Sequence, residues 1–176
     1  MISDLKKDAR FFKKKLSDTS QTMSLSNYVY ALLSPEFRVV MNYRIYSFLF
    51  KLGYYNLATL LYLRCKRIYG TDIHPESDIG VPLKIGHHSG IVIGPKVVLG
   101  KYNYIMNSVT IGNKEVGGID QMPRIGNWNI IGVGARVLGG VSIGNRNTIG
   151  ANSVVINSFG DNALIIGSPA TNRKVE

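Results

Sequence analysis

One cysteine, Cys65, stands alone among 176 residues, so no intrachain disulfide is possible and the chain suits a reducing compartment. Histidine is nearly as scarce, with only His74, His87 and His88. Acidic residues are few: 11 Asp and Glu face 21 Lys and Arg, for a net charge of +10. Nor is there a long apolar run. The stretch from Ile45 to Leu63 is interrupted by Lys51, Gly53 and Asn56, whereas a bilayer span needs about 20 apolar residues in succession. A buried helical hairpin is therefore expected there, with peripheral attachment through aromatic and basic residues as the alternative. The N-terminus, Met1-Ile2-Ser3-Asp4-Leu5-Lys6-Lys7, has no apolar segment behind its charges, so a secretory signal is not expected and the reading is cytoplasmic.

The positive charge is uneven. Residues 1–70 hold 12 Lys and Arg against 4 Asp and Glu, while the rest holds 9 against 7. Such an appendage could meet nucleic acid, the inner face of an anionic membrane, or an acidic cofactor or substrate. No zinc-finger spacing or RNA-binding signature accompanies it, so nucleic acid is not expected.

What the chain does have is a repeat. Aliphatic residues fall at Ile73, Ile79, Ile85, Ile93, Leu99, Ile105, Ile111, Ile125, Ile131, Val137, Ile143, Ile149 and Val155. Every step is six residues except Ile85 to Ile93, which is eight, and Ile111 to Ile125, which is fourteen. A period of six is neither a helix nor a plain alternating strand. It fits short flat strands joined by tight corners, three to a triangular coil, with the aliphatic residue inward. The thirteen hexads make a little over four turns, and residues inserted at the two irregular steps must protrude.

Before the repeat, residues 1–70 read as an α-helical region. Asp4 to Leu16 carries a modest apolar stripe, and Ser17 to Ser26 reads as a linker. Ser34-Pro35-Glu36 opens a helix that should run to about Leu52 and stop at Gly53. A second should begin near Asn56 and end before Gly70, with Arg64, Lys66 and Arg67 in its last turns. Residues 71–176 form the coil domain, and the tail from Ile156, with its Gly167-Ser168-Pro169 turn, should cap the open end.

His87 and His88 fall inside the eight-residue step, where a side chain is pushed off the packed wall. Asp72 precedes His87 by fifteen residues, which places the two on neighbouring coils. A carboxylate there would fix the imidazole tautomer and leave its other nitrogen to accept a proton. Spacing alone does not choose between His87 and His88, or between a base and solvated corner residues. A metal site is not expected, because adjacent histidines on an extended segment point to opposite faces. The fourteen-residue step, Asn113 to Arg124, is a protruding loop suited to touch a ligand or another subunit. Trp128, just beyond it, is large for a tight corner and could stack on an adenine or sugar ring or cover a neighbouring subunit.

These residues carry a resemblance. The run Asp72-Ile73-His74-Pro75, then His87-x-Ser89-Gly90-Ile91-Val92-Ile93-Gly94, then Val109-Thr110-Ile111-Gly112, resembles the serine acetyltransferase branch of the left-handed parallel β-helix (hexapeptide-repeat) acyltransferases. Gly167-Ser168-Pro169-Ala170 is similar to that family's C-terminal turn, and the hairpin with Tyr43-Arg44 to its segment before the coil. The resemblance implies an all-β left-handed parallel β-helix behind the helical region, and direct acetyl transfer from acetyl-CoA to a hydroxyl. It implies His87 as general base with Asp72 as its partner, and His88 at a position where the family has a small residue. It implies a CoA groove beside Gly112, Asn113, Lys114, Val133, Ala135 and Ala151, with Lys114, Arg136, Arg146, Arg173 or Lys174 toward the phosphates. A homotrimer with the site between subunits is implied as well, with pairing into hexamers left open.

The chain departs from the family where the amino acid acceptor is implied to bind. Gly86 replaces an Asp before the catalytic His, Gln121-Met122 replaces Arg-His, and Ser34 replaces an Asp before Pro. Each lost charged contact is worth about 1.5–3 kcal/mol. Gly86, Gln121 and Met122 therefore suggest a more neutral acceptor site. The expectation is an O-acetyltransferase acting on a saccharide in surface (capsular or exo-) polysaccharide biosynthesis, closest to the polysaccharide O-acetyltransferases. A divergent serine O-acetyltransferase of cysteine biosynthesis and a non-catalytic trimeric scaffold are the alternatives.

Overall fold

The computed structural model describes residues 1–13, 25–115 and 121–173. Most of the expected linker, residues 116–120 of the fourteen-residue step and Lys174 lie outside the described residues. Four helices come first: α1 (Ile2–Lys13), α2 (Leu25–Leu33), α3 (Pro35–Lys51) and α4 (Tyr55–Tyr69). The bounds of α3 and α4 fall within a residue or so of the expected ones. Pro35 pre-sets the first turn of α3, and Gly70 ends α4 in the left-handed conformation, φ 60°. Ser34 occupies the N-cap position of α3 without capping it; its hydroxyl donates to Glu36 instead. Leu25 and Ser26, expected in the linker, open α2.

From Asp72 the chain winds a parallel β-helix with three faces. The first face stacks β1 (Asp72–Ile73), β4 (Val92–Ile93), β7 (Thr110–Gly112), β10 (Arg136–Leu138) and β13 (Val154–Val155). The second stacks β2 (Asp78–Ile79), β5 (Val98–Leu99), β8 (Arg124–Ile125) and β11 (Ser142–Ile143). The third stacks β3 (Leu83–Gly86), β6 (Asn103–Met106), β9 (Ile130–Ile131), β12 (Thr148–Ile149) and β14 (Leu164–Gly167). There β15 (Ala170–Asn172) folds back antiparallel on β14 across the expected turn, and closes the end.

All thirteen hexad aliphatics are buried, each contributing about 2 kcal/mol of burial. A second inward position, two residues before each, went unread in the sequence. It holds Ser77, Val97, Asn103, Asn129, Ala135, Asn147 and Ser153, all buried. Three of these asparagines form a ladder along one corner. The amide of Asn129 donates to Asn103 Oδ1 (2.8 Å), that of Asn147 to Asn129 Oδ1 (2.8 Å), and that of Ala163 to Asn147 Oδ1 (2.7 Å). These bonds satisfy corner amides that turn away from the flat strands.

The helices seat on the first coil through buried polar contacts. Tyr43 Oη donates to the Ser77 carbonyl (2.7 Å) and Tyr46 Oη to that of Ile73 (2.8 Å). Asp8 of α1 is fully buried, pairs with Arg44 (3.0 Å) and accepts from the Leu83 amide (2.8 Å). The opposite side of α4 is uncovered: Leu57, Leu60, Leu63 and Ile68 are exposed beside Arg64 and Arg67. Among the described residues no helix is long and apolar enough to cross a membrane.

Candidate active site

The corner between the third and first faces carries the two-residue insertion. Gly90, Ser108, Gly134 and Asn152 stack there as its regular left-handed residues, linked by the amide of each to the coil below or above. His87 adds a second left-handed residue to that corner, φ 61°, a conformation that disfavours a branched carbon skeleton and clusters at functional sites. Its side chain is exposed and has no hydrogen-bond or ion-pair partner among the described residues.

His88 does the opposite. Its Nδ1 is shut from solvent without a hydrogen bond, 3.6 Å from Glu36 Oε1, and its ring meets the edge of Tyr69 at 5.8 Å. Burial alone would raise the Glu36 carboxyl, but the Ser34 hydroxyl and His88 outweigh it and hold it below the usual range. The Thr71 hydroxyl donates to the His88 carbonyl at 2.7 Å and fixes the bulge from below. His74 lies apart: burial pushes it below the ordinary imidazole range, and its Nδ1 accepts from the Glu76 amide. Among the described residues no three His, Cys, Asp or Glu side chains gather as a metal site would need.

The expected Asp72–His87 pair is not formed within the chain. Asp72 Oδ2 lies 2.5 Å from Lys66 Nζ, and Oδ1 accepts from the Tyr62 hydroxyl. The cause is α4, which runs past β1 and brings an ammonium and a phenol to the carboxylate. A cation at contact distance holds it better than a neutral ring does. Burial first, and the bond to Asp72 second, push the Tyr62 phenol far up.

The long loop builds a groove of about 980 Å³ at the other edge of the first face. Asn113, Lys114, Gln121, Met122, Arg124 and Gly140 are among its walls. Both roots of the loop press on Gly139-Gly140: the Gly139 amide donates to the Gly112 carbonyl (2.9 Å), and a Cβ on Gly140 would meet Gln121 Cβ at 3.3 Å. Residues assigned by resemblance to donor and to acceptor therefore share one groove, and His87 does not line it. Val133 and Ala151 sit instead at the corner above His87, where the Asn152 amide donates to the Val133 carbonyl (2.8 Å). The Ala135 methyl is fully buried in the prism, because it occupies the second inward position, so its backbone is what a ligand there would meet. Arg136 reaches the Gly134 carbonyl at 3.2 Å, while Arg146 stands at a left-handed corner.

Tyr104 and Lys84, which the sequence reading passed over, belong to this region. Tyr104 lies over Gly86, immediately before His87. The register of β3 on β6 pairs Lys84 with Tyr104, and the eight-residue step, read as an insertion, would have revealed it. Trp128 does fit a tight corner, at φ 62°, and stacks on Tyr102 of its own chain at 4.0 Å, with Phe11 edge-on to both.

A prism of this kind, with a histidine bulge at one corner and a long loop at another, defines the left-handed parallel β-helix class. No protein-family model matches the chain. Over 139 residues it is 34% identical to a serine acetyltransferase of Helicobacter pylori, covering 79% of this chain and 81% of that protein. Over 135 residues it is 35% identical to the Mycobacterium tuberculosis serine acetyltransferase, covering 77% and 59%. Over 174 residues it is 31% identical to serine acetyltransferase 4 of Arabidopsis thaliana, covering 96% and 46%. The Brucella abortus serine acetyltransferase in complex with coenzyme A superposes with a TM-score of 0.86 at 28% identity, over 97% of this chain and 66% of that one. The chain belongs to the serine acetyltransferase family, and it spans about half the length of the Arabidopsis relatives it matches. These relatives give no support to the expected closeness to polysaccharide O-acetyltransferases.

Proposed function

We propose that this chain is an acetyl-CoA-dependent O-acetyltransferase in which His87 is the general base. The observation that carries the reading is the contrast within the bulge: His87 stands outward and unpartnered while His88 is packed against Glu36 and Tyr69. His87 takes the proton of an acceptor hydroxyl as its oxygen attacks the thioester carbonyl. The C–S bond then breaks, and the thiolate leaves with the proton held by the imidazolium. Backbone amides of the coil offset the charge on the carbonyl oxygen. Lys114, exposed at the groove, would meet the phosphates of the donor.

Serine is the acceptor that the relatives' names favour. A saccharide hydroxyl is the second reading, favoured by the neutral residues Gly86, Gln121 and Met122 and by Ser34. Release of CoA measured with serine and with a panel of glycans separates the two. Saturable turnover of serine at millimolar concentration supports the first, and turnover confined to glycans supports the second.

His87 and the groove lie at opposite edges of one face, so a single chain does not complete the site. A trimer in which the loop groove of one copy meets the His87 corner of the next would do so. The uncovered face of α4 adds a further element: exposed leucines and isoleucine, with Arg64 and Arg67 and no acid from Lys51 to Thr71, suit an anionic membrane surface. Two copies meeting there would oppose like charges.

A further inference from the structure

The parallel strands β3 and β6 present Lys84, Gly86, Tyr104 and Met106 on the same outward face, alternating with the buried Leu83, Ile85, Asn103 and Ile105. Tyr104 is paired in register with Lys84, yet its ring does not stand upright over that partner. It leans along the strand until its hydroxyl covers the next outward position. A Cβ built on Gly86 would overlap Tyr104 Oη and lie 2.7 Å from Cε2 and Cζ. The glycine and the tyrosine are therefore a matched pair: the ring occupies the space that any side chain at position 86 would need. Lys84 Nζ lies 5.4 Å from the ring centroid and holds its face from behind.

The hydroxyl so delivered ends beside the peptide that leads into His87. Tyr104 is half-buried as a residue, and among the described residues its hydroxyl makes no hydrogen bond. A phenol can donate one hydrogen bond and accept others, so this one is free to meet a ligand. Because it can both donate and accept, it suits a hydroxyl or an amino group carried on the carbon next to the reacting one.

We infer that Tyr104 is an acceptor-recognition residue, its hydroxyl hydrogen-bonding the polar group adjacent to the hydroxyl that His87 deprotonates. The inference rests on the acyl-transfer reading and names the group that selects its acceptor. That polar group is the amino group if the acceptor is serine, and a neighbouring hydroxyl if it is a saccharide.

Steady-state CoA release by the full chain tests this, with serine in one arm and the glycan panel in the other. Tyr104→Phe keeps the ring and removes only the hydroxyl. It should raise KM for the working acceptor about fivefold, as one neutral hydrogen bond implies, with KM for acetyl-CoA and the melting temperature unchanged. Gly86→Ala should raise the acceptor KM as well, by displacing the ring, and should lower the melting temperature. Gly86→Ala with Tyr104→Ser should recover the melting temperature while the acceptor KM stays high. The arm in which KM moves identifies which polar group is read. An unchanged acceptor KM in Tyr104→Phe overturns the inference and leaves the ring as filler over a glycine. Absence of CoA release by the unaltered protein in every arm overturns the acyl-transfer reading itself, and the two failures are distinguishable.

Discussion

Lys66, in the last turns of α4, holds the carboxylate of Asp72 at 2.5 Å, and so a residue expected to serve the base instead joins helix to coil. The pair is partly exposed, with 49% and 27% of the two side chains accessible, so the contact contributes less than about 1 kcal/mol. Lys66→Met should lower the melting temperature slightly. Asp72→Asn should lower it by a similar amount, and the double variant should add little to either. If Asp72 also orients His87 once a donor or second copy is present, Asp72→Asn alone will reduce kcat by tenfold or more, while Lys66→Met leaves kcat in place. Paired melts and kinetics on the three variants decide this.

The asparagine ladder should be worth more than that ion pair. Asn129→Ala removes the acceptor of the Asn147 amide, buried in the prism, and the donor to the half-buried Gly144 carbonyl (3.1 Å). Leaving those groups unmet should cost about 3 kcal/mol, or about 10 °C in melting temperature for a chain of this size. Exposed Asn127, whose side chain accepts from the Lys101 amide on the outer side of the same corner, should cost about 1 kcal/mol when changed to Ala. Thermal denaturation of the two variants compares them directly.

Cys65 should be chemically silent. It is buried on the inner face of α4, and burial pushes its thiol up to about 11, so at neutral pH hardly any thiolate exists. The native protein should resist alkylation for hours and become labelled once denaturant opens the hairpin. Cys65→Ala should retain CoA release, as direct transfer requires. Rapid labelling of the native protein together with loss of activity would point to a covalent intermediate.

Much of this was legible because a coil repeats its chemistry. Thirteen aliphatic positions, two irregular steps and the bounds of α3 and α4 came from spacing and from Pro35, Gly53 and Gly70. The second inward position escaped notice because it holds Ser, Ala and Asn as readily as Val, so no hydropathy pattern marks it. The partner of Asp72 and the lean of Tyr104 depend on contacts across chain separations that periodicity does not encode: Lys66 reaches back from a helix, and Tyr104 covers a glycine on the coil below. Choosing His87 over His88 likewise required Glu36 and Tyr69, which come from two helices.

The face of α4 makes a prediction independent of catalysis. The protein should co-sediment with vesicles containing phosphatidylserine and far less with phosphatidylcholine alone. Arg64→Gln with Arg67→Gln should weaken that binding about thirtyfold, at about 1 kcal/mol per cation near the surface. No vesicle binding, with Leu57→Ser and Leu60→Ser changing the oligomeric mass instead, would assign the face to a second copy of the chain.

The measurement closest to the central claim is CoA release by His87→Ala beside His88→Ala, with acceptor and acetyl-CoA saturating. Loss of a general base should lower kcat by about 10²–10⁴ in His87→Ala with the melting temperature held, whereas His88→Ala, which loses packing against Glu36 and Tyr69, should lose stability before it loses turnover. Full kcat in His87→Ala, or a collapse of kcat in a stably folded His88→Ala, would contradict the account.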